Sequence, residues 1–333
     1  MDEHILLPVC KPFYSTYHFQ ANAGIVAGEN PTLRNWFLNE CMLLSCGRQF
    51  LRGYTSPEVG LWHSSPSENP WIRLSSVNSR FFTKRIHKLI KDFLRAGWYV
   101  EFWGVDDYYV KGKSWYHERH FSHDGLICGY DDSDKTYYIS AYDQNWVYRL
   151  FKTPQRCFMN GMSAMFALGV YGDLNALKAV PDAVVELSPA RIKENLREYL
   201  SYSFQDYPPD VDGWAYGILV QDYIGMYLER ISEGLVPYER IDRRVFRMVW
   251  EQKNCMLERI RAVETALGFS PDISGRFETV LSESNLMRML YARYRLKRND
   301  ALIPVIGSRL REATILERTL LEEFLEKLEK EGV

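Results

Sequence analysis

Residues 104–142 read GVDDYYVKGKSWYHERHFSHDGLICGYDDSDKTYYISAY, and the way this stretch folds back on itself decides the architecture of the first half of the chain. The β-branched and aromatic residues of WYVEFWGVDDYYV (98–110) predict a strand ending near the acidic pair Asp106 and Asp107. A polar loop, KGKSWYHER, follows. DGLICGY and KTYYISAY then read as two strands joined by the acidic turn DDSD, a hairpin. Upstream, SRFFTKRIHKLIKDFLRA (79–96) sets Phe82, Ile86, Leu89, Ile90 and Phe93 at three- and four-residue spacings among basic residues, the pattern of an amphipathic helix, and Gly97 stops it. A helix followed by an antiparallel set describes an α+β domain whose strand ends carry Asp106, His123 and Asp143.

After about Pro154 the pattern changes. SPARIKENLREYLSYSF offers Ser188 as N-cap, Pro189 in the first turn, and Ile192, Leu196 and Tyr199 on one face. Later segments repeat the helical period, so two domains are expected: residues 1–153, with the sheet, and 154–333, all helical. The final leucine stripe, in EATILERTLLEEFLEKLEK, is too short for a coiled-coil seam and reads as an ordinary surface helix.

Composition narrows the function classes. A net charge of −2 over 333 residues, with basic residues spread throughout, lacks the footprint of a nucleic-acid binder. No apolar run reaches the roughly 20 residues of a membrane span, and the start MDEHILLPVC carries acids where a signal peptide carries lysine or arginine, so a cytoplasmic protein is expected. The six cysteines form no CxxC pair, which suits reduced thiols and disfavours zinc, and HERHFSH lacks the spacing of a metal motif. No metal or resident cofactor is expected. The many tyrosines and tryptophans suit a binding surface.

His123 stands just before an apolar strand. Periodicity alone makes it a hydrogen-bonded rim residue as readily as a catalyst. The surrounding pattern, however, resembles the N-terminal domain of the butirosin biosynthesis protein H family, papain-like acyltransferases that move an aminoacyl chain from a carrier protein to an amine. Asp106 and Tyr108 match that family's strand-end segment, His123 its histidine, and Gly129, Tyr130 and Asp131 its Gly-Tyr-Asp turn. The match covers about 40 residues well and the first 150 loosely. It implies a papain-like fold, an acyl or peptidyl carrier protein delivering substrate on phosphopantetheine, an amine acceptor, and a place in nonribosomal peptide or aminoglycoside-type assembly.

In a papain-like site a helix N-terminus lowers the pKa of a thiol, and an imidazole oriented by a carboxylate exchanges its proton. His123 fits the second role, oriented by Asp143 or Asp106. The first role is unfilled: YSTYHFQANAGIVAG, where the family cysteine would open the first helix, holds His18, Gln20 and Asn22 instead. Cys10 lies upstream; Cys41 and Cys46 fall in the apolar helical run NWFLNECMLLSC, where thiols are usually inert core. Cys10, or one of Cys41 and Cys46, supplies the nucleophile, or His18 and His123 face each other as a proton-transfer pair without a thiol. Gln20, Asn22, Tyr108 and Tyr130 are the expected substrate-binding residues. The competing readings are an inactive scaffold that holds a carrier protein or peptide, and a thioester or amide hydrolase.

Overall fold

The computed structural model describes residues 3–28, 30–53, 56–62, 67–210 and 212–333. In chain order the first elements are β1 (His4–Leu6), α1 (His18–Ala27), α2 (Arg34–Glu40), β2 (Leu44–Gly47), β3 (Gly60–Leu61), β4 (Ile72–Asn78), α3 (Ile86–Arg95) and β5 (Tyr99–Asp106). Then come β6 (Ser122–Asp131), β7 (Thr136–Tyr142), β8 (Tyr148–Pro154), α4 (Gln155–Ala167) and β9 (Asp173–Ala179). The remainder comprises α5 (Pro189–Ser201), β10 (Trp214–Tyr216), α6 (Val220–Ser232), α7 (Val245–Leu267), α8 (Asp272–Lys297) and α9 (Leu302–Lys330). The chain is thus mixed in helix and strand, with an antiparallel sheet. Among the described residues, no helix is long and apolar enough to cross a membrane.

Two units emerge, one of residues 1–34 with 64–184, the other of 35–63 with 185–333. The division does not follow the expected boundary at 153. The sheet recruits β9 from beyond it, because β9 lies between β4 and β5 in the strand order β4-β9-β5-β6-β7-β8. The mainly helical half also carries β10 and therefore is not all α.

In the first unit, residues 79–96 begin with a 3-10 turn over Ser79–Phe81, capped by the Asn78 side chain, and turn α-helical only at Ile86. Ile86, Ile90 and Leu94 of α3 then pack with Phe158 and Met162 of α4 against Val100, Phe102, Ile127 and Ile139 of the sheet. The helix ends at Gly97, whose φ of +75° suits a residue without a side chain. The hairpin forms as its acidic turn predicts: the Asp131 carboxylate accepts from the Ser133 and Asp134 amides. β1 pairs with the far half of β6, and at Gly129 a Cβ would meet the Ile5 carbonyl oxygen at 2.2 Å, so the close approach requires glycine.

In the second unit, β2 sits between β10 and β3, and α5, α7, α8 and α9 bury Leu196, Ile260, Phe277 and Phe324 together. Cys46 lies on β2 rather than in a helix. Ser188 caps α5 by accepting from the Arg191 amide. Arg259 is fully buried on α7 and donates to the carbonyls of Phe37, Leu38 and Cys41, ending α2 with a charged cap. Lys253, equally buried, is held by Glu317 at 2.7 Å and the Tyr199 hydroxyl at 3.0 Å, and Gln221 donates to the same carboxylate.

Candidate functional site

His18 is the first residue of α1, and His123 is the second residue of β6. Their rings lie 4.5 Å apart, centroid to centroid. Each has its own carboxylate. His18 Nδ1 is 2.5 Å from Asp124 Oδ1, and His123 Nδ1 is 2.9 Å from Asp107 Oδ2. Asp107 turns its other oxygen to Lys113 Nζ, 2.6 Å away, and Lys113 also donates to the Asp124 carbonyl. The side chains of Asp107 and Lys113 are fully buried and that of His18 nearly so, whereas that of His123 is 23% exposed. Of these, His123 is the one a substrate can reach.

The hydrogen bonds fix where the protons sit. The Tyr142 backbone N–H donates to His18 Nε2, so the His18 proton resides on Nδ1 and points at Asp124. Burial and the adjacent Lys113 ammonium push the His123 imidazole below its ordinary 6.5, against the pull of Asp107. At neutral pH its proton therefore stays on Nδ1, facing Asp107, and Nε2 keeps a lone pair. That nitrogen stands 3.5 Å from Asp124 Oδ1. Burial alone would raise the Asp124 carboxyl, but attraction to His18 and its hydrogen bond, with His123 and Lys113, outweigh burial and hold it at about 2. An ionised Asp124 thus waits beside the lone pair of His123.

The rest of α1 supports the group. Asn22, one turn after His18, donates to Glu101 and accepts from the Tyr148 hydroxyl. The rings of Tyr142 and Tyr148 lie 5.3 and 5.6 Å from His18. Glu101 is buried and also accepts from Trp103 and Asn175.

Several sequence candidates fall elsewhere. Asp106 serves its own turn, accepting from the Tyr108 and Phe121 amides and pairing with His120 rather than His123. Asp143 accepts from the Asn145 and Val147 amides and pairs with Arg149, which ties it to the β7–β8 turn. Tyr108 stacks on His120 at 4.3 Å. Tyr130 is buried toward the other end of β6, donates to Glu3, and has its phenol raised to about 12, chiefly by burial. Gln20 is buried, but two residues along a helix carry it about 200° around from His18, onto a different face.

The thiols are engaged or buried elsewhere. Cys10 donates to the Gly28 carbonyl, at the opposite end of the ten-residue α1 from His18, roughly 15 Å along the axis. Cys128 is buried in β6 against Ser140, and burial raises both it and Cys46 to about 12. Cys41 and Cys255 are also buried, and Cys157 lies on α4.

Sequence reasoning missed Asp107, Lys113 and Asp124. Asp107 is one residue from the candidate Asp106, Lys113 reads as part of a polar loop, and Asp124 adjoins His123 on a strand whose neighbours alternate sides. His18, His123 and Asp124 also offer three donor atoms within 4.8 Å of one another, the composition of a two-histidine, one-carboxylate metal set. The tautomer of His18 does not fit that role. A metal at Nδ1 would displace its proton to Nε2, against the Tyr142 amide proton already pointing there. The arrangement suits a proton better than a cation.

No family model matches the chain, and no curated protein matches it.

Proposed function

We propose that the chain is an acyltransferase or amide-condensing enzyme that moves an acyl group from a carrier-protein thioester to an amine, with His123 as general base and without a protein thiol. The observation that carries the reading is the His123 imidazole, partly open to solvent, held neutral and oriented by Asp107, with the ionised Asp124 3.5 Å from its free nitrogen. The apposition of a helix-opening residue and a strand histidine on an antiparallel sheet supports a papain-like ancestry in which His18 occupies the nucleophile's place. Reduced thiols throughout the chain support work in the cytoplasm.

In the proposed step the amine approaches from the open side, within hydrogen-bond reach of both Asp124 Oδ1 and His123 Nε2, which stand 3.5 Å apart. As the nitrogen attacks the thioester carbonyl, His123 Nε2 takes the amine proton, and Asp124 accepts a hydrogen bond from the resulting imidazolium. The C–N bond forms, the C–S bond breaks, and the imidazolium returns its proton to the departing sulfur. Asp107 and Lys113 keep the ring in the working tautomer. His18 has one nitrogen on Asp124 and the other on Tyr142, so it positions Asp124 rather than exchanging protons itself.

The test uses the full chain with all six cysteines replaced by alanine or serine. It is given an acyl thioester of N-acetylcysteamine and a primary amine, and amide formation is followed by mass spectrometry. Retained amide formation is expected. Loss of turnover in this variant with its fold intact, or no turnover by the wild-type protein with any amine or water, would overturn the proposal.

A further inference from the structure

We infer that Trp115, Phe121 and Trp146 form a binding subsite for an apolar, ring-bearing acyl group, adjoining His123. This inference rests on the transfer reading above and names the donor's acyl class.

The edge of Phe121 meets the His123 ring at 5.1 Å and 70°, so apolar surface runs up to the base. Trp115 continues it, 6.3 Å from Phe121, and Trp146 stands edge-to-face on Trp115 at 5.0 Å. Phe121 and the neighbouring Val147 are 38% and 52% exposed, although nothing in a plain surface loop requires such residues outside. The Arg119 guanidinium lies over both Trp115 and Phe121 and steadies the rings from one side.

Backbone conformation points the same way. Trp146 has φ of +60°, a left-handed conformation that a bulky side chain adopts at a cost. It is held there by Asp143, whose carboxylate accepts the amides on both sides of Trp146 while its carbonyl accepts the amide of Trp146 itself. Asp143 therefore acts by aiming Trp146 at Trp115. His117, in the same 107–121 segment, is also left-handed at +58°. Two of the six described non-glycine residues with positive φ, His117 and Trp146, thus lie in the two loops that carry the rings.

An acyl donor whose carbonyl is attacked by the amine held at His123 Nε2 would lay its acyl group against these rings. Their flat faces favour an aromatic group over a short polar one.

Isothermal titration calorimetry on the full chain tests this with unreactive ketone analogues of phenylacetyl- and acetyl-N-acetylcysteamine, in which methylene replaces sulfur. The phenylacetyl analogue should bind at least tenfold more tightly, and Trp146→Ala or Phe121→Ala should each erase that preference while the far-UV circular dichroism stays unchanged. Equal binding of the two analogues, or a preference that survives both substitutions, would overturn the subsite. Because no turnover is needed, selective binding by a protein that fails to make amide would uphold the subsite and refute only the transfer chemistry.

Discussion

Replacing Asp107 with asparagine tests the proton arrangement most sharply. An asparagine offers one acceptor and one donor group where the carboxylate offers two acceptors. The Lys113 ammonium, 2.6 Å from one oxygen, will claim the acceptor, which leaves the amide NH2 facing His123 Nδ1. Two donors cannot share that contact, so the imidazole proton moves to Nε2 and the lone pair proposed as the base is lost. Restoring the working tautomer means facing donor against donor inside the protein, about 1–3 kcal/mol, and the imidazolium also loses a charge-assisted partner, about 1.5–3 kcal/mol. Together these come to roughly 2.5–6 kcal/mol, or about 10²- to 10⁴-fold in kcat/KM for thioester aminolysis. Long-range ¹⁵N–¹H correlation spectra of the histidines read the tautomer without any substrate. Asp107→Asn should shift the His123 proton from Nδ1 to Nε2. An unmoved proton, or a wild-type rate with the proton moved, would refute the reasoning.

Other consequences are equally accessible. Because His123 is held below 6.5, the acid limb of kcat/KM should have its midpoint below pH 6.5, and Lys113→Met, by removing a repelling charge, should move that limb upward; a limb centred above 6.5 in the wild-type protein would contradict it. The same group makes stability fall as the pH drops below 6.5, because the unfolded chain then binds a proton that the folded one resists, a trend to be read from urea midpoints. In the second unit, Glu317→Gln should strand the buried Lys253 ammonium and cost about 3–5 kcal/mol in urea unfolding, whereas the double change Lys253→Met with Glu317→Leu should recover part of that loss, since the Tyr199 hydroxyl and the Gln221 amide also lose their acceptor; no recovery at all would show that the stranded charge does not set the cost. Titration with Co²⁺ should give no tetrahedral absorption band that His18→Ala removes, and such a band would show that the His18 proton yields to a metal.

Much of this could be read from the chain. The acidic turn and the alternating strands around it announce the hairpin, the three- and four-residue spacing announces α3, and His18 opposite His123 is one of the readings left open by a first helix that starts without a cysteine. What stayed hidden depends on contacts between distant residues. DLNALKA carries little intrinsic strand preference, yet it forms β9 because β4 and β5 offer it ladders on both edges. Lys113 looks like a solvated loop residue until the loop folds over and buries it between Asp107 and the Asp124 carbonyl. The choice between Asp106 and Asp107 turns on which of two adjacent carboxylates the chain's turn after β5 consumes, and the Tyr108 amide takes Asp106.

Chemical rescue addresses the central assignment directly. His123→Ala, assayed for amide formation from an N-acetylcysteamine thioester and a primary amine, should lose at least a hundredfold in rate and regain activity as imidazole is added, with the pH dependence of the rescue following the added base. A His123→Ala protein that transfers the acyl group at the wild-type rate without imidazole would contradict it.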